Sequence, residues 1–126
     1  MNKLILKQEV LDAYDGYVKA FIKGDTKEVE NYLSFPNYRF LDGEIEEFNE
    51  FHSNLNELKN RGYKDTIALS IDVVEISEEK AHLVLKEALR VKVNNEPLEE
   101  ISSFYNFIKE DNKWKIKFSS AFFFPK

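Results

Sequence analysis

The last quarter of the chain limits the fold most strongly, because it reads as two aromatic strands joined by a tight turn. From Ser102 to Phe124 the sequence is SSFYNFIKEDNKWKIKFSSAFFF. In residues 113–118 apolar residues alternate with lysines, which predicts a strand with one buried face. The residues on that face are Trp114, Ile116 and Phe118. Residues 104–109 are apolar on both sides, and Asp111-Asn112 suits a two-residue hairpin turn. The rest of the chain must therefore cover this hairpin.

Length and composition favour one aromatic-rich domain spanning residues 1–126. The 11 Phe, 6 Tyr and 1 Trp indicate a thick core or an aromatic-lined cavity. With 23 acidic and 18 basic residues, the net charge of −5 disfavours nucleic acid as a partner. Cysteine is absent, which excludes disulfides, thiolate nucleophiles and cysteine metal sites. Only three consecutive apolar residues precede Lys7, so we expect a cytoplasmic protein without a membrane segment.

The N-terminal region predicts two helices in succession. Apolar residues recur at steps of three and four over Lys7–Lys23, and Gly24 is suited to end this first helix. Asp25 followed by Glu28 is a typical start signal for a short second helix over residues 26–33.

A third helix is predicted after a short extended segment. Pro36 prevents the second helix from continuing, so residues 37–41 should be extended. The Asp42-Gly43 pair makes a turn, and helical spacing returns over residues 45–62. Three glutamates would occupy the first turn of this helix, where negative charge suits the helix dipole. They are Glu44, Glu46 and Glu47.

Beyond Asp65 the apolar period changes from helical spacing to alternation. This predicts strands over residues 66–76 and 81–93, and the polar segments 77–80 and 94–97 form the turns. Together with the C-terminal hairpin this gives four successive strands joined by short connections. Helices followed by an antiparallel meander indicate an α+β fold with the helices on one face of the sheet.

The order of these elements resembles the nuclear transport factor 2-like superfamily, which includes SnoaL-like polyketide cyclases and ketosteroid isomerases. The likeness is sharpest where Tyr17-Val18-Lys19-Ala20-Phe21 is followed by Gly24-Asp25. The resemblance implies a cystatin-like cone, in which three N-terminal helices pack on a curved, mainly antiparallel sheet around an apolar cavity. It also implies a homodimer formed through the outer face of the sheet.

Glu87 is the first candidate for chemistry, because it interrupts the apolar face formed by Leu83, Leu85, Leu89 and Val91. A carboxylate there is costly unless it is paired or lines a wet cavity, and a raised pKa would make it a usable acid or base. Alternatively, a bulge or strand edge turns Glu87 to solvent, or it pairs with an arginine such as Arg39.

The resemblance to ketosteroid isomerases suggests a second pair of catalytic candidates. Asp42 falls within a residue of the position of their proton-abstracting Asp, and Tyr17 falls where they carry an oxyanion-binding Tyr. Ser103 or Phe104 stands where the second, protonated Asp of that chemistry would be required. Asp42 has a structural alternative too, since Asp-Gly before a helix is ordinary turn and cap chemistry.

Other positions give a pocket and an interface but no metal site or cofactor. We expect a small apolar ligand in a pocket that is lined by Tyr14, Tyr17, Glu87, Asn106 and Trp114. His52 and His82 have no near-spaced acid and are not predicted to bind metal. A basic stripe on the outer face would assist dimerisation, with Tyr105 and Phe107 at its centre. The stripe comprises Lys86, Arg90, Lys92, Lys113, Lys115 and Lys117.

Three functions follow from these patterns. The first is binding of a small apolar ligand in the cone. The second is proton transfer on a carbonyl substrate by an isomerase or cyclase, with Asp42 or Glu87 moving the proton and Tyr17 polarising the carbonyl. The third is a dimeric interaction module whose own aromatic side chains fill the cavity.

Overall fold

The computed structural model describes residues 2–51, 53 and 55–125. The helices in this part of the chain are α1 (Lys3–Lys23), α2 (Thr26–Glu30) and α3 (Leu55–Asn60). The strands are β1 (Leu33–Leu41), β2 (Glu44–Phe48), β3 (Asp65–Ile76), β4 (Lys80–Val91), β5 (Pro97–Glu110) and β6 (Lys113–Pro125).

The strands form one mixed sheet in the order β2-β1-β6-β5-β4-β3. Strands β3 to β6 make the predicted antiparallel meander, whereas β1 runs parallel to β6 and antiparallel to β2. The helices precede most of the sheet in the chain, and α1 packs against β3 and β6. The α+β fold predicted from the sequence is confirmed.

The first helix begins and ends at the residues that its capping chemistry requires. The Asn2 side chain accepts hydrogen bonds from the backbone N–H groups of Leu4 and Ile5. At the other end Gly24 has a φ of 75°, and its N–H bonds to the carbonyls of Ala20 and Phe21. The inner face of α1 completes the core against the sheet, where Val10, Leu83 and Phe107 are fully buried.

The segment after Asp42-Gly43 corrects the predicted third helix. Asp42 and Gly43 both have positive φ angles, which turn the chain back along β1 as a two-residue hairpin. The glutamate-rich residues 44–48 therefore form the edge strand β2, and the helix is limited to Leu55–Asn60. Two side-chain contacts connect the strands of the hairpin: Tyr38 donates a hydrogen bond to Glu47 at 3.0 Å, and Arg39 forms an ion pair with Glu46 at 3.8 Å.

A bulge in β4 corrects the predicted faces of that strand. Leu85 pairs with Ser103 and Ala88 pairs with Ile101, so two residues of β4 lie opposite Ser102 alone. These two residues are Lys86 and Glu87, and both are exposed. The extra residue reverses the alternation, and the cavity side beyond the bulge is occupied by Arg90.

A second bulge reverses the faces of β6. Asn106 pairs with Phe118 and Phe107 pairs with Ile116, so Lys117 is the extra residue. Trp114 and Ile116 are buried as predicted, whereas Phe118 lies on the opposite, outer face with Phe104.

The orientation predicted for β5 is also wrong. Tyr105 and Phe107 point toward α1, and Phe107 is fully buried. Phe104 and Asn106 consequently lie on the outer face, away from the cavity. Both faces of this strand are apolar, so alternation by itself could not decide between them.

Candidate functional site

A cavity of about 90 Å³ lies between α1 and the inner face of the sheet. The helix contributes Tyr14, Tyr17 and Phe21, and five strands contribute the remaining wall with one residue, Ser53, from the loop before α3. Leu85 and Ile101 make part of the wall apolar. The cavity is well below the roughly 300–1,000 Å³ of sites for drug-sized ligands, so it suits a small molecule.

Three tyrosines from two elements meet in this cavity. The ring centroid of Tyr105 lies 5.7 Å from that of Tyr14 and 6.3 Å from that of Tyr17. Burial raises the pKa of each of these phenols. Their hydroxyl groups are therefore neutral at physiological pH and can donate hydrogen bonds.

Arg90 reaches the cavity because the β4 bulge turns it inward. Its guanidinium lies 5.4 Å from the ring centroids of both Phe21 and Phe123. Its Nη1 donates to the Glu99 carboxylate at 2.8 Å, and Glu99 is only 4% exposed. Arg61 contacts the same carboxylate at 3.3 Å. The aromatic rings and the shared acid fix the position of Arg90 in the wall.

Arg39 brings a second positive charge into the cavity wall from β1. Its guanidinium lies 5.3 Å from the Phe48 ring centroid, and its pairing with Glu46 is longer than a hydrogen bond. The buried Nε atoms of both Arg39 and Arg90 have no acceptor among the described residues. Both arginines also act to lower the pKa of Tyr17 against the larger effect of burial. Both charges therefore act on the same phenol.

Of the residues that the sequence suggested, the structure brings Tyr14 and Tyr17 into the cavity. Glu87 is exposed at the bulge, so the prediction that it faces inward is wrong and its bulge alternative is correct. Asp42 is exposed in the β1–β2 turn, where it borders a separate depression with Gly43 and Phe122.

Asn106 and Trp114 also lie away from the cavity, so their predicted pocket positions are wrong. Asn106 is on the outer face and pairs with His82 across the strands. Trp114 is buried beneath α1, where its Nε1 donates to Glu9 at 3.1 Å and Lys109 lies over its ring. It is therefore a core residue near the opposite end of α1 from Tyr17.

Sequence reasoning missed the two arginines and Tyr105. Alternation places Arg90 in a basic outer stripe, because the bulge between Leu85 and Ala88 leaves no mark in the sequence pattern. Arg39 does carry a signal, since it alternates with the outward residues Tyr38 and Phe40 and faces Ser119 of β6.

Within the part of the chain that the structure describes, no cluster of three or more His, Cys, Asp or Glu side chains could hold a metal ion. The rings of His82 and Phe104 are in contact at a tilted angle with centroids 5.2 Å apart, and His52 lies outside the described residues. No described carboxylate or imidazole lines the cavity. None of the described helices is both long and apolar enough to cross a membrane.

The chain's sequence matches one family model, described as NTF2-like protein (DUF6841), over residues 8–120. No curated protein is significantly similar to it in sequence.

Solved structures with the same fold cover nearly the whole chain. An NTF2-like protein of unknown function from Shewanella baltica OS155 has a TM-score of 0.64 at 11% identity and covers 100% of this chain and 99% of its own. A protein of unknown function with a cystatin-like fold from Nostoc punctiforme PCC 73102 has a TM-score of 0.67 at 9% identity, covering 94% and 91%. The association domain of C. elegans CaMKII has a TM-score of 0.63 at 12% identity, covering 90% and 92%. At such identities the likeness shows the fold alone.

Proposed function

Because the chain belongs to the family described as NTF2-like protein (DUF6841), we propose that it uses the cavity of this fold to bind a small molecule. The family membership confirms the superfamily that the sequence resembled. It gives the fold and leaves the function to be argued from the site.

The observation that carries this proposal is the composition of the cavity between α1 and the sheet. Apolar walls and a few convergent polar groups are typical of ligand sites. Here Leu85, Ile101 and Phe123 supply the apolar part, and the hydroxyl groups of tyrosine, serine and threonine residues together with two arginines supply the polar part. The small volume restricts the ligand to a few non-hydrogen atoms within the cavity.

Binding is favoured over proton transfer by the residues around this cavity. A base for a carbonyl isomerase has to lie within hydrogen-bond reach of the substrate, or one water away. Asp42 and Glu87 are both exposed and do not line the cavity, and the described lining offers no replacement. Tyr17 is positioned to donate a hydrogen bond, which supports recognition of a ligand oxygen.

The proposal is tested by filling the cavity and leaving its surroundings unchanged. Ser119 lines the cavity, whereas its neighbour Ser120 pairs with Phe40 and Phe104 on the outer face. We expect Ser119→Leu to abolish, and Ser120→Leu to preserve, binding of small fragments that shift the ring signals of Tyr14 and Tyr17. The measurement is NMR titration of protein labelled at the tyrosine rings. Equal binding by both variants would refute the proposed site.

A second candidate function is self-association through the outer face of the sheet. Phe122 and Phe124 stack on each other there with centroids 6.3 Å apart, and they are 64% and 50% exposed. Phe40 on β1 extends this apolar area, and such a patch is typical of an interaction surface. The likeness to an association domain supports the same reading. We propose a second copy of the chain as the partner.

Sedimentation equilibrium tests this second candidate directly. We expect a mass of two chains for the native protein and of one chain for Phe122→Lys. Leu4→Lys is the matched control, because Leu4 is 80% exposed on α1, away from the sheet's outer face. A single-chain mass for the native protein would contradict the candidate.

A further inference from the structure

We infer that the ligand of the cavity carries a carboxylate group, which Arg39 and Arg90 bind from the sheet side. This inference rests on the proposed function, since it names the chemical class of the molecule that the cavity takes. It adds a charge to the small apolar ligand that the sequence suggested.

The balance of charge around the cavity is the first argument. The protein has a net charge of −5, yet the charged side chains among the described lining residues are two arginines. The neighbouring acids do not cancel them, because Arg39, Arg61 and Arg90 share two carboxylates, those of Glu46 and Glu99. An anion in the cavity would meet excess positive charge.

Unused hydrogen-bonding capacity is the second argument. Each guanidinium has five N–H donors in a planar fork. Arg90 uses one guanidinium donor on Glu99, and the guanidinium of Arg39 makes no hydrogen bond within the described residues. Both Nε atoms are buried without an acceptor there, which is costly for an N–H group. A carboxylate supplies acceptors for such a fork, and charge-assisted bonds of this kind are strong.

The tyrosines complete the recognition of an anion. A phenol whose pKa is raised by burial stays protonated, so Tyr14, Tyr17 and Tyr105 offer O–H donors without negative charge. The tyrosines and the arginines are all hydrogen-bond donors, which suits an anion. A cationic ligand would find no carboxylate in the described lining.

The apolar part of the wall favours an organic carboxylate over inorganic phosphate. A guanidinium fork binds either group, so the arginines alone do not discriminate. Leu85, Ile101 and Phe123 offer no hydrogen bond, so a phosphate oxygen directed at this part of the wall would lose its hydration without replacement. A short alkyl group would instead remove apolar surface from water there.

The test compares two probes of the same shape and different charge, isobutyrate and isobutyramide, with inorganic phosphate as a third. Dissociation constants come from NMR titration of the tyrosine ring signals. We expect isobutyrate to bind at least about tenfold tighter than isobutyramide, as one charged hydrogen bond predicts. Equal binding of the two overturns the carboxylate inference but not the cavity. Failure of both probes overturns both, and phosphate binding as tight as isobutyrate overturns the choice of carboxylate.

Variants identify which positive charge is responsible for carboxylate binding. Arg39→Gln is preferred to a change at Arg90, because loss of Arg90 would leave the buried Glu99 with Arg61 alone. We expect Arg39→Gln to weaken isobutyrate about tenfold and to leave isobutyramide unchanged. Lys86→Gln removes the same charge from the exposed bulge and should change neither. An Arg39→Gln protein that is folded by circular dichroism and binds isobutyrate normally overturns the inference.

Discussion

Single side chains in this protein show that burial, more than residue type, decides what a titratable group can do. Tyr17 has a pKa raised by burial, above its value of about 10 in the unfolded chain. Between the pKa of the unfolded chain and the higher pKa of the folded chain, the folded state binds more protons. The free energy of unfolding is therefore unaffected by this group below about pH 10 and falls as the pH rises above it. We expect Tyr17→Phe to flatten this loss in urea unfolding measured from pH 8 to 11. Tyr32→Phe, outside the cavity, is the control, and an unchanged alkaline slope in Tyr17→Phe would contradict the assignment.

Two glutamates of the same meander make a second residue-scale comparison. Glu87 is exposed at the β4 bulge, and surface changes of this kind usually alter stability by less than about 0.5 kcal/mol. Glu99 is buried between Arg61 and Arg90, and removing one partner of such a group costs about 3 kcal/mol. We therefore expect Glu99→Gln, but not Glu87→Gln, to lower the free energy of unfolding at pH 7. A large effect at Glu87 would mean that its side chain is not in solvent.

At the scale of elements, the contact between α1 and the turn after α2 reverses the usual effect of a helical glycine. Glycine in a helix is about 1 kcal/mol less favourable than alanine, so propensity predicts that Gly16→Ala stabilises the protein. A Cβ at Gly16 would lie 2.6 Å from Cζ of Tyr32, which packs across this position. Overpacking costs about 1–3 kcal/mol, so we expect net destabilisation. In a Tyr32→Ala background the same change should become stabilising, as thermal unfolding would measure.

The elements also show which parts of the structure the sequence could predict. Periodic apolar spacing and the caps at Gly24 and Asp25 give α1 and the start of α2, because these signals are local. The bulges at Lys86-Glu87 and Lys117 depend on pairing with another strand and leave no local signal. A shift of one residue exchanges the two faces of a strand. The sequence therefore places Tyr14 and Tyr17 of α1 at the cavity, as the structure does, whereas it gives wrong positions for the candidates on the sheet.

The prediction of a helix where the structure has the hairpin of β1 and β2 is wrong for a different reason. Ile45 and Phe48 are three residues apart, a spacing that suits a helix as a pattern but here belongs to an edge strand. The Asp42-Gly43 pair is itself a hairpin signal, and it outweighs the spacing because it sets the backbone direction. Arg39, one of the two arginines of the site, lies on the strand that this turn aligns.

For the whole molecule, the outer face links folding to association. If two copies pair through Phe122 and Phe124, unfolding also separates them, so stability depends on protein concentration. A 100-fold increase in concentration should raise the apparent free energy of unfolding by about 2.7 kcal/mol. With a urea slope of about 2 kcal/mol per molar for each chain, and therefore about 4 for the dimer, the midpoint then rises by about 0.7 M. We expect Phe122→Lys to lose this dependence and Leu4→Lys to retain it. A native midpoint that stays constant across that concentration range would mean that the protein unfolds as a single chain. The partner of the aromatic face would then be a molecule other than a second copy.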